Sequence, residues 1–209
     1  MASLLIATNN VGKIKEIRAL LQDMRLEAEI LTPAQIGLDL HVEESGNTYA
    51  ENAARKAVAF AQVSGLPVLA DDSGLEVDAL NGSPGIRSAR FSPLPNATDA
   101  DRRAYLLERL KDHPRPWTAR FRCMVAITKP EDSSNRVEDV RFSEGVCPGE
   151  IIPEERGNNG FGYDPIFLIP ALNRTMAELT MPEKNRLSHR ARAVHAARTI
   201  LIDMLKITT

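Results

Sequence analysis

Residues 4–21, Leu4-Leu5-Ile6-Ala7-Thr8-Asn9-Asn10-Val11-Gly12-Lys13-Ile14-Lys15-Glu16-Ile17-Arg18-Ala19-Leu20-Leu21, decide the fold class. The apolar run Leu4-Leu5-Ile6-Ala7 is a short buried strand, and the polar turn Thr8-Asn9-Asn10 follows it at once. Beyond the turn Ile14, Ile17, Leu20 and Leu21 recur at helical spacing, which predicts a helix from about Gly12 to Leu21. A strand, a tight polar turn and a helix in succession make the layout in which backbone N–H groups at a helix start face a phosphate.

Outward from this start, Thr48 followed by Glu51 has the capping-box pattern. The Ala-rich helix it opens should end at Gly65, with Pro67 preventing resumption. Pro67-Val68-Leu69-Ala70 reads as a strand buried on both faces that ends at Asp71-Asp72. Thr98 with Asp101 opens a further helix carrying Tyr105, Leu106, Leu107 and Leu110, and Pro114 and Pro116 stop it. From Ala119 to Thr128, Phe121, Cys123, Val125 and Ile127 alternate with Arg120, Arg122, Met124 and Ala126, as in a half-buried strand. Val137 to Ile152 predicts more strand, interrupted at Gly145 and Pro148. From Ser188 onward Ala191, Val194, Ala197, Leu201 and Met204 share one helical face. Helices interleave with strands, and 119–152 has the character of an antiparallel hairpin region. The expected fold is α/β with a mixed sheet and flanking helices. No repeat or linker is visible, so residues 1–209 read as one unit with room for two lobes.

The 209 residues are 43% hydrophobic and 26% charged, as in a globular protein. A net charge of −2 supplies no global basic field for a nucleic-acid backbone. A polyanion would have to be met by a few focused cations. Cys123 and Cys147 have no zinc spacing, and two reduced cysteines fit a cytoplasmic protein. The first residues lack the basic flank and length of a secretory signal, and no window approaches the ~20 apolar residues of a membrane span.

Five segments hold polar residues that structure alone does not require. Thr8 to Lys13 offers hydroxyl, amide and N–H donors with an ammonium. That is either turn chemistry or a phosphate cradle, and it lacks the Walker spacing. Glu43-Glu44-Ser45-Gly46-Asn47 precedes the helix carrying Lys56, where its acids could simply complement the helix dipole. Asp71-Asp72-Ser73-Gly74 puts two carboxylates at a buried strand, where a counter-charge such as Mg²⁺ is needed unless the pair only caps a turn. Gly160-Phe161-Gly162-Tyr163-Asp164 is a core plug, or else a purine platform on which a ring stacks while Asp164 accepts a base N–H. Lys184 to Arg190 reads as a basic helix start, opposed by the helix dipole unless an anion or carbonyl sits there. No Ser or Cys pairs with a His in a nucleophilic arrangement.

Taken together, ATNNVGK, EESGNTYAENAARKA, LADDSGLEVDALNGSPGIRSARF, GFGYDPIF and AELTMPEKNRLSHR resemble, in this order from Ala7 to Arg190, the ITPase family of non-standard purine NTP pyrophosphatases. The resemblance implies two lobes around a nucleotide cleft, a homodimer, and Mg²⁺-dependent hydrolysis of ITP, dITP and XTP to the monophosphate and pyrophosphate. It implies that Thr8, Asn9, Asn10, Val11, Gly12 and Lys13 bind the triphosphate with Lys56 and Lys184. Asp72 would be the acid–base residue and a metal ligand, with Ser73 beside the substrate. Phe161, Gly162, Tyr163 and Asp164 would form the base pocket, and His189 and Arg190 would read the 6-oxo group. The match for the second metal carboxylate shifts by one residue between Glu43 and Glu44, and Glu43 is preferred. A non-catalytic nucleotide sensor is the rival reading. An RNA-binding role lacks the basic surface it would need.

Overall fold

The structure is a computed structural model that describes residues 2–130 and 139–205. Its seven strands are β1 (Ala2–Ile6), β2 (Ala28–Leu31), β3 (Val68–Val77), β4 (Trp117–Thr128), β5 (Arg141–Ile151), β6 (Phe167–Ile169) and β7 (Arg174–Thr175). They form one sheet in the order β2-β1-β3-β4-β5-β6-β7. The helices are α1 (Val11–Asp23), α2 (Tyr49–Ser64), α3 (Asp99–Leu110), α4 (Met181–Leu187), α5 (His189–Ala196) and α6 (Arg198–Leu205). β1 runs parallel to β2 and β3, whereas β5, β6 and β7 pair antiparallel, so the sheet is mixed as expected.

Local chemistry explains the helix limits. Asn10 caps α1, its side chain accepting from the Lys13 N–H at 3.0 Å. Thr48 caps α2, and Gly65 ends it in the left-handed conformation that glycine adopts without strain. The Glu51 carboxylate reaches back to the Asn47 N–H rather than to the cap residue itself. At α3 the reciprocal box between Thr98 and Asp101 is complete.

Three expectations need correction. β3 does not end at the aspartates but continues through them to Val77, because Leu75 and Val77 resume the buried pattern on their far side. β5 runs unbroken through Gly145 and Pro148, with Ser143, Gly145, Cys147, Gly149 and Ile151 alternately buried. Gly149 permits the close approach of β6, since a Cβ there would lie 2.6 Å from the Phe167 ring. Val137 lies outside the described residues. The C-terminal helix is two helices, α5 and α6, meeting at Ala197, although the anticipated face is buried throughout.

The chain divides into two compact units. The first comprises Met1–Asp72, Cys123–Gly145 and Arg190–Thr209, and the second Ser73–Arg122 and Val146–His189. The first has two cores. One joins Leu4, Ile6, Leu69, Cys123, Val125 and Ile127 to α1, α5 and α6, and the other joins Leu5, Val68, Ala70 and Ala126 to α2. The second unit is built on Leu75, Leu106, Trp117, Phe121, Phe167 and their neighbours. Leu69→Ala should cost roughly 2–5 kcal/mol through the cavity it leaves. Val63→Ala, at an exposed position, should stay within about 0.5 kcal/mol. Urea denaturation of the two variants measures the contrast.

Candidate active site

Strand alternation sends the two adjacent aspartates to opposite faces of β3. Asp71 shares the face of Leu69, toward α1 and α5, and Asp72 shares that of Ala70, toward α2. All of the partners described next lie in the first unit.

Asp71 is 0% exposed. Its Oδ2 lies 3.0 Å from the Lys13 ammonium and accepts from Arg190 Nε and Nη2 at 3.2 Å each. The other end of the guanidinium donates from Nη1 to Glu16, whose side chain is also buried. Two carboxylates and two cations therefore balance within the core. Burial would raise the Asp71 pKa, but Lys13, Arg190 and Lys56 outweigh it and hold the carboxyl far below the ordinary range. Cys123, on the same face, is pushed up to about 12 by burial and by the Asp71 charge. Its thiol stays protonated and supplies no nucleophile.

Asp72 is 4% exposed and has different company. Its Oδ2 accepts from the Asn52 amide at 3.0 Å, and its Oδ1 lies 3.8 Å from Lys56 Nζ. The Lys56 ammonium donates to the Asp71 carbonyl oxygen at 2.5 Å and to Glu44 Oε1 at 2.7 Å. Burial raises the Asp72 pKa and the Glu44 charge adds to it; Lys56, Lys13 and Asn52 offset this only in part. Burial also works against a charged Lys56, but Asp71, Asp72 and Glu44 overcome it and raise its pKa. Asp72 is thus a stronger base than an exposed aspartate.

Of the two neighbouring glutamates, Glu44 is half-buried and pairs with Lys56 at 2.7 Å, while Glu43 is exposed. Asp72 and Glu44 are hard oxygen donors. Among the described residues no group of three or more His, Cys, Asp or Glu forms a metal cage. The pair fits a Mg²⁺ site, in which one or two carboxylates are completed by water and substrate phosphates.

The turn before α1 is largely exposed and is tied both within itself and to Leu40. Thr8 Oγ1 accepts from the Asn10 N–H at 3.2 Å, and the Asn9 amide donates to the Leu40 carbonyl at 3.3 Å. Asn10 spends its side chain on the helix cap, which leaves the first-turn N–H groups at Val11 and Gly12 beside Lys13.

In the second unit Asp164, buried, accepts from Lys184 Nζ at 2.5 Å and from the Phe161 N–H at 2.9 Å. Gly160, at φ 78°, is obligatory here, since a Cβ would lie 2.0 Å from Asp164 Oδ2. The two aromatics separate. Tyr163 is a core residue whose hydroxyl donates to the Ser88 carbonyl at 2.9 Å, whereas Phe161 is half-buried with the Lys184 ammonium 5.3 Å from its ring centroid. His189 stacks on Phe121 at 4.7 Å with the planes 18° apart. Ser73, half-buried, continues β3 into this unit. Lys184 and Arg186 do not start a helix; they occupy the last turn of α4, where the dipole favours cations.

Several residues of these sites escape a reading from sequence. Asn52 is signalled only by its place four residues before Lys56 on α2. Glu16 shows itself as a carboxylate on the apolar stripe of α1. Asp99 and Arg103 anchor the Phe161 loop through the Gly162 N–H at 2.7 Å and the Gly162 carbonyl at 2.9 Å.

Arg190 sits among ionised partners. At 1% exposure, three of its five N–H donors face Asp71 and Glu16, so its side chain holds that pair. Arg190→Ala should cost about 3–5 kcal/mol in urea denaturation, against little for exposed Arg198→Ala. The Asp71 pKa is depressed on folding, so its stabilisation is full above the unfolded value and fades as pH falls. The gap between wild type and Arg190→Ala should therefore narrow on acidification.

Comparison with known proteins finds likeness over nearly the whole chain. The Ham1 family pattern matches residues 4–200. The dITP/XTP pyrophosphatase of Desulforamulus reducens is 45% identical over 199 residues, which is 95% of this chain and 94% of that protein. That of Escherichia coli K12 is 44% identical over 99% of both chains. A HAM1 protein structure from Coxiella burnetii superposes with a TM-score of 0.83 at 41% identity, covering 97% of this chain and 100% of that one. The Staphylococcus aureus Ham1 protein gives 0.80 at 37% identity, covering 96% and 98%. The chain belongs to the Ham1 family.

Proposed function

We propose that the chain hydrolyses deaminated purine nucleoside triphosphates (ITP, dITP and XTP) to the monophosphate and pyrophosphate. The observation that carries this reading is Asp72, a buried carboxylate of raised pKa standing with Glu44, Lys56 and Asn52. The full-length likeness to dITP/XTP pyrophosphatases supports it.

In this reading Lys13, Lys56 and the first-turn N–H groups of α1 neutralise the triphosphate. Asp72 and Glu44 would hold Mg²⁺, which when bound offsets phosphate charge and lowers the pKa of a coordinated water. Asp72 orients the attacking water and takes its proton as the oxygen adds to the α-phosphorus, in line with departing pyrophosphate. Arg190 keeps Asp71 ionised, and Asp71 in turn holds the Lys13 ammonium. In the second unit Phe161 offers the aromatic face and Asp164, held by Lys184, an acceptor for a base N–H. His189, set by Phe121, supplies the donor that meets a 6-oxo acceptor. With the ring N–H of His189 facing the base, adenine would meet it with a donor amine and be rejected. A homodimer in the cytoplasm completes the proposal; no helix among the described residues is long and apolar enough to cross a membrane.

Turnover of ITP in ¹⁸O-water should place label in the monophosphate. Label in pyrophosphate, or orthophosphate as the primary product, would overturn the mechanism. Asp72→Asn should abolish release of pyrophosphate while leaving triphosphate binding within about tenfold, or about 1.4 kcal/mol.

The two glutamates separate cleanly by substitution. Glu44→Gln should lower activity at limiting Mg²⁺ by at least 10–100-fold, the loss usual even for an outer partner of a metal. Glu43→Gln, at an exposed position, should change it by less than about twofold. A Mg²⁺ titration of initial rates reads both.

A further inference from the structure

Asn52 is 0% exposed on a helix face that it shares with Ala53, Lys56, Ala57 and Phe60. Asparagine is a poor helix former, and a buried amide is costly unless both of its ends are bonded. Here both are. The Asn52 Oδ1 accepts from the Gly46 N–H at 2.8 Å, and Nδ2 donates to Asp72 Oδ2 at 3.0 Å. The N–H on one side and the carboxylate on the other leave a single orientation for the amide. Gly46 sits two residues after Glu44, and Lys56, one turn along α2, bonds Glu44 itself. Two residues of one helix face thus tie the 44–46 segment to β3, Lys56 by charge and Asn52 by a neutral bridge.

We infer that Asn52 is a positioning residue that sets the spacing of Asp72 and Glu44, the two carboxylates proposed to hold the divalent cation. It rests on the hydrolase reading only for the purpose of that pair. The bridge engages Asp72 through Oδ2 alone, while Oδ1 lies 3.8 Å from Lys56, beyond hydrogen-bond length. It restrains the rotation of the carboxylate without adding a charge that would compete with the cation. Gly46 belongs to the same device. A Cβ there would lie 2.7 Å from Asn52 Oδ1 and 2.8 Å from Glu51 Cβ, so only glycine lets the loop close onto the amide.

The test compares wild type with Asn52→Leu, an apolar near-isostere, and with Gly46→Ala, which pushes the amide from the loop side. Mn²⁺ alone, without nucleotide, is titrated by electron paramagnetic resonance, and melting temperatures are recorded on the same samples. Both variants should bind Mn²⁺ roughly 10–100-fold more weakly, the loss usual for residues that orient metal ligands. The Mg²⁺ concentration for half-maximal pyrophosphate release should rise in step, with KM for ITP at saturating Mg²⁺ within about threefold. Unchanged Mn²⁺ affinity in either folded variant, with any rate loss following the melting temperature, overturns the inference. If Asn52→Leu does not fold, Gly46→Ala decides alone. If wild type releases no pyrophosphate from ITP, the functional reading fails, while the Mn²⁺ titrations still decide whether Asn52 positions the pair.

Discussion

Two adjacent carboxylates inside a buried strand are the constraint on which the first unit depends. Removing a carboxylate from water costs several kcal/mol unless charge and hydrogen bonds replace the solvent. Because neighbouring strand residues point to opposite faces, the two side chains take different direct partners, although Lys13 and Lys56 act on both at longer range. α1 brings Lys13 and Glu16 and the start of α5 brings Arg190 to one face, while α2 brings Asn52 and Lys56 to the other. The helices that cover the sheet are therefore selected for polar side chains at set places on otherwise apolar stripes.

The two faces push the aspartates apart in acidity. Cations outweigh desolvation at Asp71, and desolvation with a like charge prevails at Asp72. One carboxylate is held as an anion that organises its surroundings, and the other is the more basic of the two. Separated acidities of this kind divide roles between neighbouring carboxylates. Lys56 joins the two, donating to the Asp71 main chain while it balances Asp72 and Glu44. A shift of α2 along its axis would disturb both aspartates together.

The second unit solves a different problem, that of fixing a glycine-rich loop without secondary structure. It does so with polar anchors: Asp99 and Arg103 from α3 on Gly162, and the Asp164 carboxylate on the Phe161 N–H. Arg103 is itself held by a paired contact with Glu155 at 2.8 and 2.9 Å. Tyr163 anchors the loop to the core from below through Ser88. Phe161, half-buried, has the Lys184 ammonium 5.3 Å from its ring centroid.

Much of this was legible in the chain before folding. Periodicity located α1, the capping residues Thr48 and Thr98 opened α2 and α3, and the order of five polar segments pointed to the family, because helix caps and strand alternation are written in residues a few positions apart. The ends of β3, the continuity of β5 and the split between α5 and α6 were not legible, since each depends on neighbours distant in sequence. The same holds for the site. Asp72 and Lys56 stand out as charges on apolar elements. The pairing of Glu44 with Lys56, the contacts of Arg190 with Asp71 and Glu16, and the bridge through Asn52 arise only when loop, helix and strand meet. Local sequence sets which side chains can ionise and which face they take. The partner of each charge, and with it the acidity and role of each residue, is decided by tertiary structure, because burial and charge pairing are properties of the packed interior.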